Sequence, residues 1–303
     1  MRDGHVLWVE ESGNPEGVPV LFLHGGPGSG CKPHHRGFFD PQKFRVFLHD
    51  QRGSGASSDP ADISKNTTQE ILLDLKFIQD ALDIPKWLLF GGSWGATLAL
   101  LYAEAWPNRV AAMVLRGAFL AREQDLSWFV GPLGVRRIYP EAWRALLSMT
   151  GLNEDADVVE SLHQMLLCEN NDSATRLCAA QAWEYWGGVV TLGQAQRPLI
   201  DLNADRSVQI IRQARIELHY AKHRYFIEEN QILQQICNVS SIPTVIIHGR
   251  RDLVCPPDVA LALHGGMPHA KIRILEESAH VPSDAAMISA LIEAAEEMAE
   301  ASL

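Results

Sequence analysis

The chain is poor in cysteine and in positive charge, and it has no long apolar run. Five cysteines, Cys31, Cys168, Cys178, Cys237 and Cys255, are scattered over 303 residues. An odd number without paired spacing argues against a disulfide framework or a zinc knuckle, so free thiols are expected. Lys and Arg total 26 against 37 Asp and Glu, a formal net charge of −11. Nucleic acid and anionic membrane surfaces both require clustered basic side chains, so neither is an expected partner. No stretch approaches the roughly 20 apolar residues of a membrane-spanning helix, and residues 1–15 lack the apolar core of a secretory signal. A cytoplasmic location is expected. Internal repeats and low-complexity tracts are absent. A dinucleotide fingerprint is absent too, because Gly26-Pro27-Gly28 runs on into Ser29-Gly30-Cys31. No cofactor is expected, and no oligomeric state is read from the chain.

What is present is a pattern of strands alternating with helices. Hydrophobic residues make up 47% and charged residues 21%, an ordinary balance for a globular protein with a large core. Val6–Glu10, Val18–Leu23, Phe44–His49, Trp87–Phe90 and Val110–Leu115 read as strands. Thr67-Thr68-Gln69-Glu70 reads as a capping box opening a helix with Ile71, Leu75, Ile78 and Leu82 on one face. Alternation stops near Leu120, and a helical stretch with four of the eight tryptophans follows, to about Cys237. It resumes with strands at Ile242–His248 and Lys271–Leu275, a short helix at Val259–Leu263 between them, and a closing helix at Asp284–Met298. The expected architecture is a mostly parallel sheet flanked by helices. Residues 1–120 and 238–303 form its core, and 121–237 form an inserted helical cap.

Gly91-Gly92-Ser93-Trp94-Gly95 stands between the apolar run Trp87–Phe90 and the helix-forming run Ala96–Leu101. Strand, sharp turn and helix around Gly-x-Ser-x-Gly resemble the nucleophile elbow of α/β-hydrolases. A serine hydroxyl needs a base to take its proton, and imidazole needs a carboxylate to fix its tautomer. Asp252 and His280 each follow a strand, in the chain order Ser, Asp, His expected of that fold. The competing reading of Asp252 is a turn aspartate or a partner for Arg250 or Arg251. For His280 it is a surface loop histidine. An oxyanion hole needs converging backbone N–H groups: one from Trp94, the other from Gly26 or its neighbour Gly25 in His24-Gly25-Gly26-Pro27-Gly28. His219 and His223 are spaced as a metal pair on a helix but lack the glutamate of His-Glu-x-x-His, so no metal is expected. Cys31 and Cys255 follow site motifs closely and read as buried, inert thiols.

Four segments carry a further resemblance. They are His24–Gly28, Asp50-Gln51-Arg52-Gly53-Ser54-Gly55, Gly91–Gly95, and Gly249-Arg250-Arg251-Asp252-Leu253-Val254-Cys255-Pro256. In this order they are similar to proline iminopeptidases, serine peptidases of the α/β-hydrolase fold that remove N-terminal proline. The resemblance implies a triad of Ser93, Asp252 and His280 under a helical cap. It also implies cap glutamates that bind the substrate's free α-amino group. Glu217, in Ala214-Arg215-Ile216-Glu217-Leu218-His219-Tyr220, matches one of them. The other follows the second tryptophan of a Trp-x-x-Trp-Glu stretch, where this chain has Gly187 after Trp183-Glu184-Tyr185-Trp186. Glu184, three residues earlier, is the candidate substitute. Phe119 and Phe129 match aromatic residues of the proline pocket, while Ala221 stands where another aromatic is usual.

These observations give three readings. The first is a hydrolase of the proline iminopeptidase type acting on short peptides through an acyl-enzyme. The second keeps the triad but acts as an esterase or amidase on a bulkier or uncharged acyl group. The third is a non-catalytic receptor on a hydrolase fold, which the intact nucleophile, base and oxyanion loop disfavour.

Overall fold

A computed structural model describes residues 4–57, 63–168, 170–193 and 203–302. Among them, seven strands form one sheet in the order β1-β3-β2-β4-β5-β6-β7. The strands are β1 Val9–Gly13, β2 Val18–Leu23, β3 Phe44–His49, β4 Trp87–Gly92, β5 Val110–Arg116, β6 Thr244–Gly249 and β7 Lys271–Leu275. Only β1 runs antiparallel, on the edge against β3; the other pairings are parallel.

The central strands are buried on both faces, which is why they read as continuous apolar runs. Alternation assigns their side chains to two cores. Leu21, Leu23 and Leu89 pack with helices α1 (Thr68–Ala81), α2 (Trp94–Ala105) and α9 (Asp258–Gly266). Val20, Phe22, Leu88 and Phe90 pack with the closing helix α10 (Ala285–Glu300) and with Phe38 and Phe39.

Two local expectations are corrected. The first strand begins at Val9 rather than Val6, because β3 ends at His49, which is paired with Val9. Upstream of that register Trp8 bonds elsewhere, its N–H to Ser57 Oγ at 3.0 Å and its carbonyl to the Asp50 amide at 3.1 Å. Thr67 caps α1 by accepting from the Glu70 amide at 3.3 Å. The Glu70 carboxylate does not complete the capping box, because it lies 3.4 Å from the Arg52 guanidinium.

Between β5 and β6 the described chain is helical: α3 (Glu123–Val130), α4 (Pro140–Thr150), α5 (Val158–Leu167), α6 (Ser173–Leu192), α7 (Ala204–Lys222) and α8 (Gln231–Gln235). Residue 169 and residues 194–202 of this stretch lie outside the description. Helices α4 to α7 share an apolar cluster of their own, centred on Trp143, Trp186, Leu146, Leu162 and Leu218. Trp143 and Trp186 meet edge to face at 5.1 Å. Helix α7 reaches both layers: Leu218 and Ala221 join this cluster, while Ile216 and Tyr220 join the sheet's core.

Candidate active site

Ser93 stands at the tip of the β4–α2 turn with φ 56° and ψ −122°, a conformation costly for a residue with a Cβ and one that collects at functional turns. Its flanking glycines are required by contact. A Cβ at Gly91 would lie 2.3 Å from the Gly95 carbonyl oxygen, and one at Gly95 would lie 1.9 Å from that of Leu23. The turn is pinned by the Ser93 amide, which donates to Arg116 O at 2.9 Å.

Across the cleft, His280 Nδ1 lies 2.7 Å from Asp252 Oδ2. The other Asp252 oxygen accepts from the Val254 and Cys255 amides, each at 2.9 Å. Burial pushes the Asp252 carboxyl up, but His280, His248 and the Cys255 amide outweigh it and hold the group below its ordinary value. Asp252 is thus a buried carboxylate facing an imidazole. Its competing partners are engaged elsewhere, Arg250 with Glu276 at 3.1 Å and Arg251 with Glu277. His248 sits behind the pair, bonded to the Cys255 carbonyl at 2.6 Å. Arg116 donates to the His280 carbonyl at 2.7 Å. Gly117, at φ +51°, backs the pair, since a Cβ there would stand 3.2 Å from Asp252 Oδ2 and 3.4 Å from the His280 ring.

The glycine loop after β2 lies directly against the elbow. A Cβ on Gly25 would be 3.4 Å from that of Ser93. His24 Nε2 accepts from the Gln51 amide at 3.1 Å, which leaves Nδ1 to donate to the Gly25 carbonyl at 2.9 Å. The Gln51 side chain donates to the His24 carbonyl at 2.9 Å and accepts from the Trp94 indole at 3.0 Å. The rest of the Asp50–Gly55 motif anchors this arrangement. Asp50 accepts from the Cys31 and Ala56 amides, at 2.6 and 2.8 Å. Arg52 forms a buried two-point pair with Asp74 and donates to the Lys65 carbonyl at 3.0 Å.

One cavity of about 640 Å³ joins these parts. Ser93, His280, Gly25, Gly26, Phe119, Phe129, Glu184 and Glu217 all line it. Asp252 lies behind His280 and Trp94 beneath the elbow, both buried and outside the lining. Glu217 is held by Trp183 Nε1 at 2.6 Å and Gln213 Nε2 at 2.8 Å. Burial pushes its carboxyl up to about 7. Glu184 lines the wall, but its carboxylate is paired with Arg206. Gly187 also lines the cavity, and a Cβ built there meets nothing within 4 Å. Ala221 is buried in the cluster shared by α4 to α7, away from the lining.

One aromatic lining residue, Tyr225, is marked by no sequence pattern. Tyr225 sits edge on to Phe119 at 4.9 Å and tilted over Trp94 at 5.7 Å, supplying an aromatic wall where Ala221 supplies none. It follows α7 in a positive-φ turn that no local pattern marks. Cys255 lines the same cavity as Ser93, and burial keeps its thiol protonated. Cys31 bonds the His49 carbonyl at 3.3 Å and stays outside the cavity. All five cysteines are free.

Residues 18–284 match the family described by the α/β-hydrolase fold. The chain is 40% identical over 291 residues to a proline iminopeptidase of Xylella fastidiosa, covering 96% of this chain and 92% of that one. It is 40% identical over 295 residues to one from Neisseria meningitidis, covering 97% and 93%, and 37% identical over 300 residues to one from Arabidopsis thaliana, covering 98% and 78%. Among solved structures, an esterase from Exiguobacterium antarcticum superposes with a TM-score of 0.66 at 19% identity, covering 98% of this chain and 97% of that one. At that identity the likeness speaks for the fold alone. The chain belongs to the proline iminopeptidase family of α/β-hydrolases. It is a hydrolase, and among the described residues no helix is long and apolar enough to cross a membrane.

Proposed function

We propose that the chain is a serine hydrolase that removes an N-terminal prolyl residue from short peptides through an acyl-enzyme. Ser93 Oγ attacks the prolyl carbonyl while His280 takes its proton, with Asp252 holding the imidazole and stabilising its cation. The Trp94 and Gly26 amides, with Gly25 beside them, receive the oxyanion. His280 then protonates the departing peptide amine, and water entering by the same route hydrolyses the ester. Residues 1–120 and 238–303 supply the triad and the oxyanion loop. Residues 121–237 cover the cavity as a cap and supply the amine site.

The observation that carries this reading is Glu217, a carboxyl fixed by two donors in the wall of a mostly apolar cavity that also holds Ser93 and His280. A substrate ammonium arriving there finds an oriented acceptor, and Phe119, Phe129 and Tyr225 offer rings to a small apolar ring. The test is turnover of prolyl arylamides by wild type and Glu217→Ala. Loss of prolyl activity with retained Ser93 labelling supports the reading, and full activity in the variant removes Glu217 from the amine site.

A second reading, an esterase or amidase for a bulkier or uncharged acyl group, draws on two observations. The Glu184 carboxylate is engaged by Arg206, and the space beside Gly187 is open. Prompt aryl-ester hydrolysis with no turnover of free-amine prolyl substrates would favour it. The receptor reading fails if a fluorophosphonate labels wild type but not Ser93→Ala.

A further inference from the structure

We propose that His163, His219 and His223 form a divalent transition-metal site, best suited to zinc, where α5 meets the end of α7. One ring nitrogen from each of the three lies within 4.8 Å of those of the other two. His219 and His223 are one helical turn apart, and His163 comes from α5, far upstream in the chain.

The hydrogen-bond partners leave each of the three histidines one ring nitrogen with a lone pair to offer. His219 Nε2 is 3.0 Å from the Asn66 carbonyl oxygen. Only an N–H can bond a carbonyl, so Nδ1 keeps the lone pair. That Nδ1 is buried without a hydrogen-bond partner. His223 Nδ1 is 2.8 Å from the His219 carbonyl oxygen, which by the same argument leaves Nε2 available. His163 Nε2 is likewise buried and unpartnered. A carbonyl receiving the far N–H of an imidazole is the outer-shell support that metal-bound histidines use to fix tautomer and ring orientation. What sets these two unpartnered nitrogens apart from others in the chain is that their rings meet a third imidazole, which suits a shared ligand.

Three imidazoles with no thiolate or carboxylate suit zinc and its late first-row neighbours rather than calcium or magnesium. Exposed His223 leaves a solvent side for a fourth ligand, water. Metal–nitrogen bonds of about 2.0–2.1 Å place tetrahedral ligand atoms about 3.3 Å apart, so the rings must close inward. His163 is half-buried and His223 exposed, which gives both room to turn. None of the three lines the catalytic cavity. The ion would clamp α5 to α7, two helices already joined by the Lys222–Glu160 ion pair.

Equilibrium dialysis of chelator-treated protein against zinc, with cobalt absorption and thermal melting alongside, tests the site. Wild type should bind one tight zinc per chain, show tetrahedral cobalt bands and melt higher in zinc. His163→Gln and His223→Gln should each weaken zinc binding by on the order of 100-fold or more and abolish both the bands and the zinc-dependent melting shift. Their metal-free melting and their fluorophosphonate labelling of Ser93 should match wild type. No stoichiometric zinc binding, or equal affinity in both variants, overturns the proposal.

Discussion

The indole N–H of Trp94 donates to the side-chain oxygen of Gln51 at 3.0 Å. Gln51 also donates to the His24 carbonyl, so one amide fastens both proposed halves of the oxyanion hole. Gln51→Met keeps the volume but removes both bonds. Deleting a direct oxyanion donor costs about 10²–10³ in kcat, and loosening two donors through their support should cost roughly 10–100-fold. The expected result is a fall in kcat with KM little changed, read with a prolyl arylamide. An unchanged kcat would make the Trp94–Gln51 bond purely structural.

Glu217 should impose a pH dependence that follows the charge of the substrate. Burial pushes its carboxyl up to about 7 against the bonds from Gln213 and Trp183. An ammonium is attracted to the ionised form, so KM for free-amine substrates should rise as pH falls below about 7. A neutral ester should lack this component, and Glu217→Gln should remove it. Stability follows the opposite sign. The folded-state value lies above the ordinary 4.5, so the folded protein holds a proton that the unfolded chain has lost. This group therefore adds stability as pH falls from about 7 toward 4.5, and Glu217→Gln should flatten that slope in urea titrations.

Gly187 offers a gain-of-function test. A side chain there enters open space beside the cavity, and the site lies inside α6. Gly187→Glu should raise kcat/KM for free-amine prolyl substrates by roughly 10-fold, in the range of a close charge pair. Ester hydrolysis should not rise with it. Replacing a mid-helix glycine should also add about 0.5–1 kcal/mol of stability. Equal gains on amine and ester substrates would show that the new carboxylate does not meet the ammonium.

The Arg52–Asp74 pair supports the Asp50–Gly55 motif from below. Both residues are buried, at 2% and 0% exposure. Asp74→Ala leaves a desolvated guanidinium whose other carboxylate, Glu70, is 3.4 Å away. The expected loss is about 3 kcal/mol, at the lower end for breaking a buried pair, measured by chemical denaturation. Arg52→Met combined with Asp74→Leu should recover much of it.

Much of this arrangement is legible in the sequence. The strands β2 and β3 fall where their apolar runs begin and end, because a buried parallel strand has few other ways to satisfy its backbone. Ser93, His280 and the glycine loop were placed by motif and chain order, and all of them line one cavity. The start of β1 is not legible locally, because it is set by pairing with His49, a partner remote in sequence. Tyr225 and the third histidine, His163, are not legible for the same reason. Tyr225 meets Phe119 and Trp94 from the turn after α7, His163 meets His219 and His223 where α5 packs on α7, and no local spacing records either. Glu184 sits on the expected face, but the Arg206 that engages its carboxylate comes from another helix.

The central claim is that Ser93 acts on substrates anchored by a free amine. It is tested most directly by kcat/KM for a prolyl arylamide against its N-acetylated counterpart, with Ser93→Ala as the blank. The free-amine substrate should be preferred by at least roughly 10²-fold, in line with removal of one member of a desolvated charge pair, and the blank should be inactive toward both. Equal turnover of the two substrates, or preference for the blocked one, would contradict it.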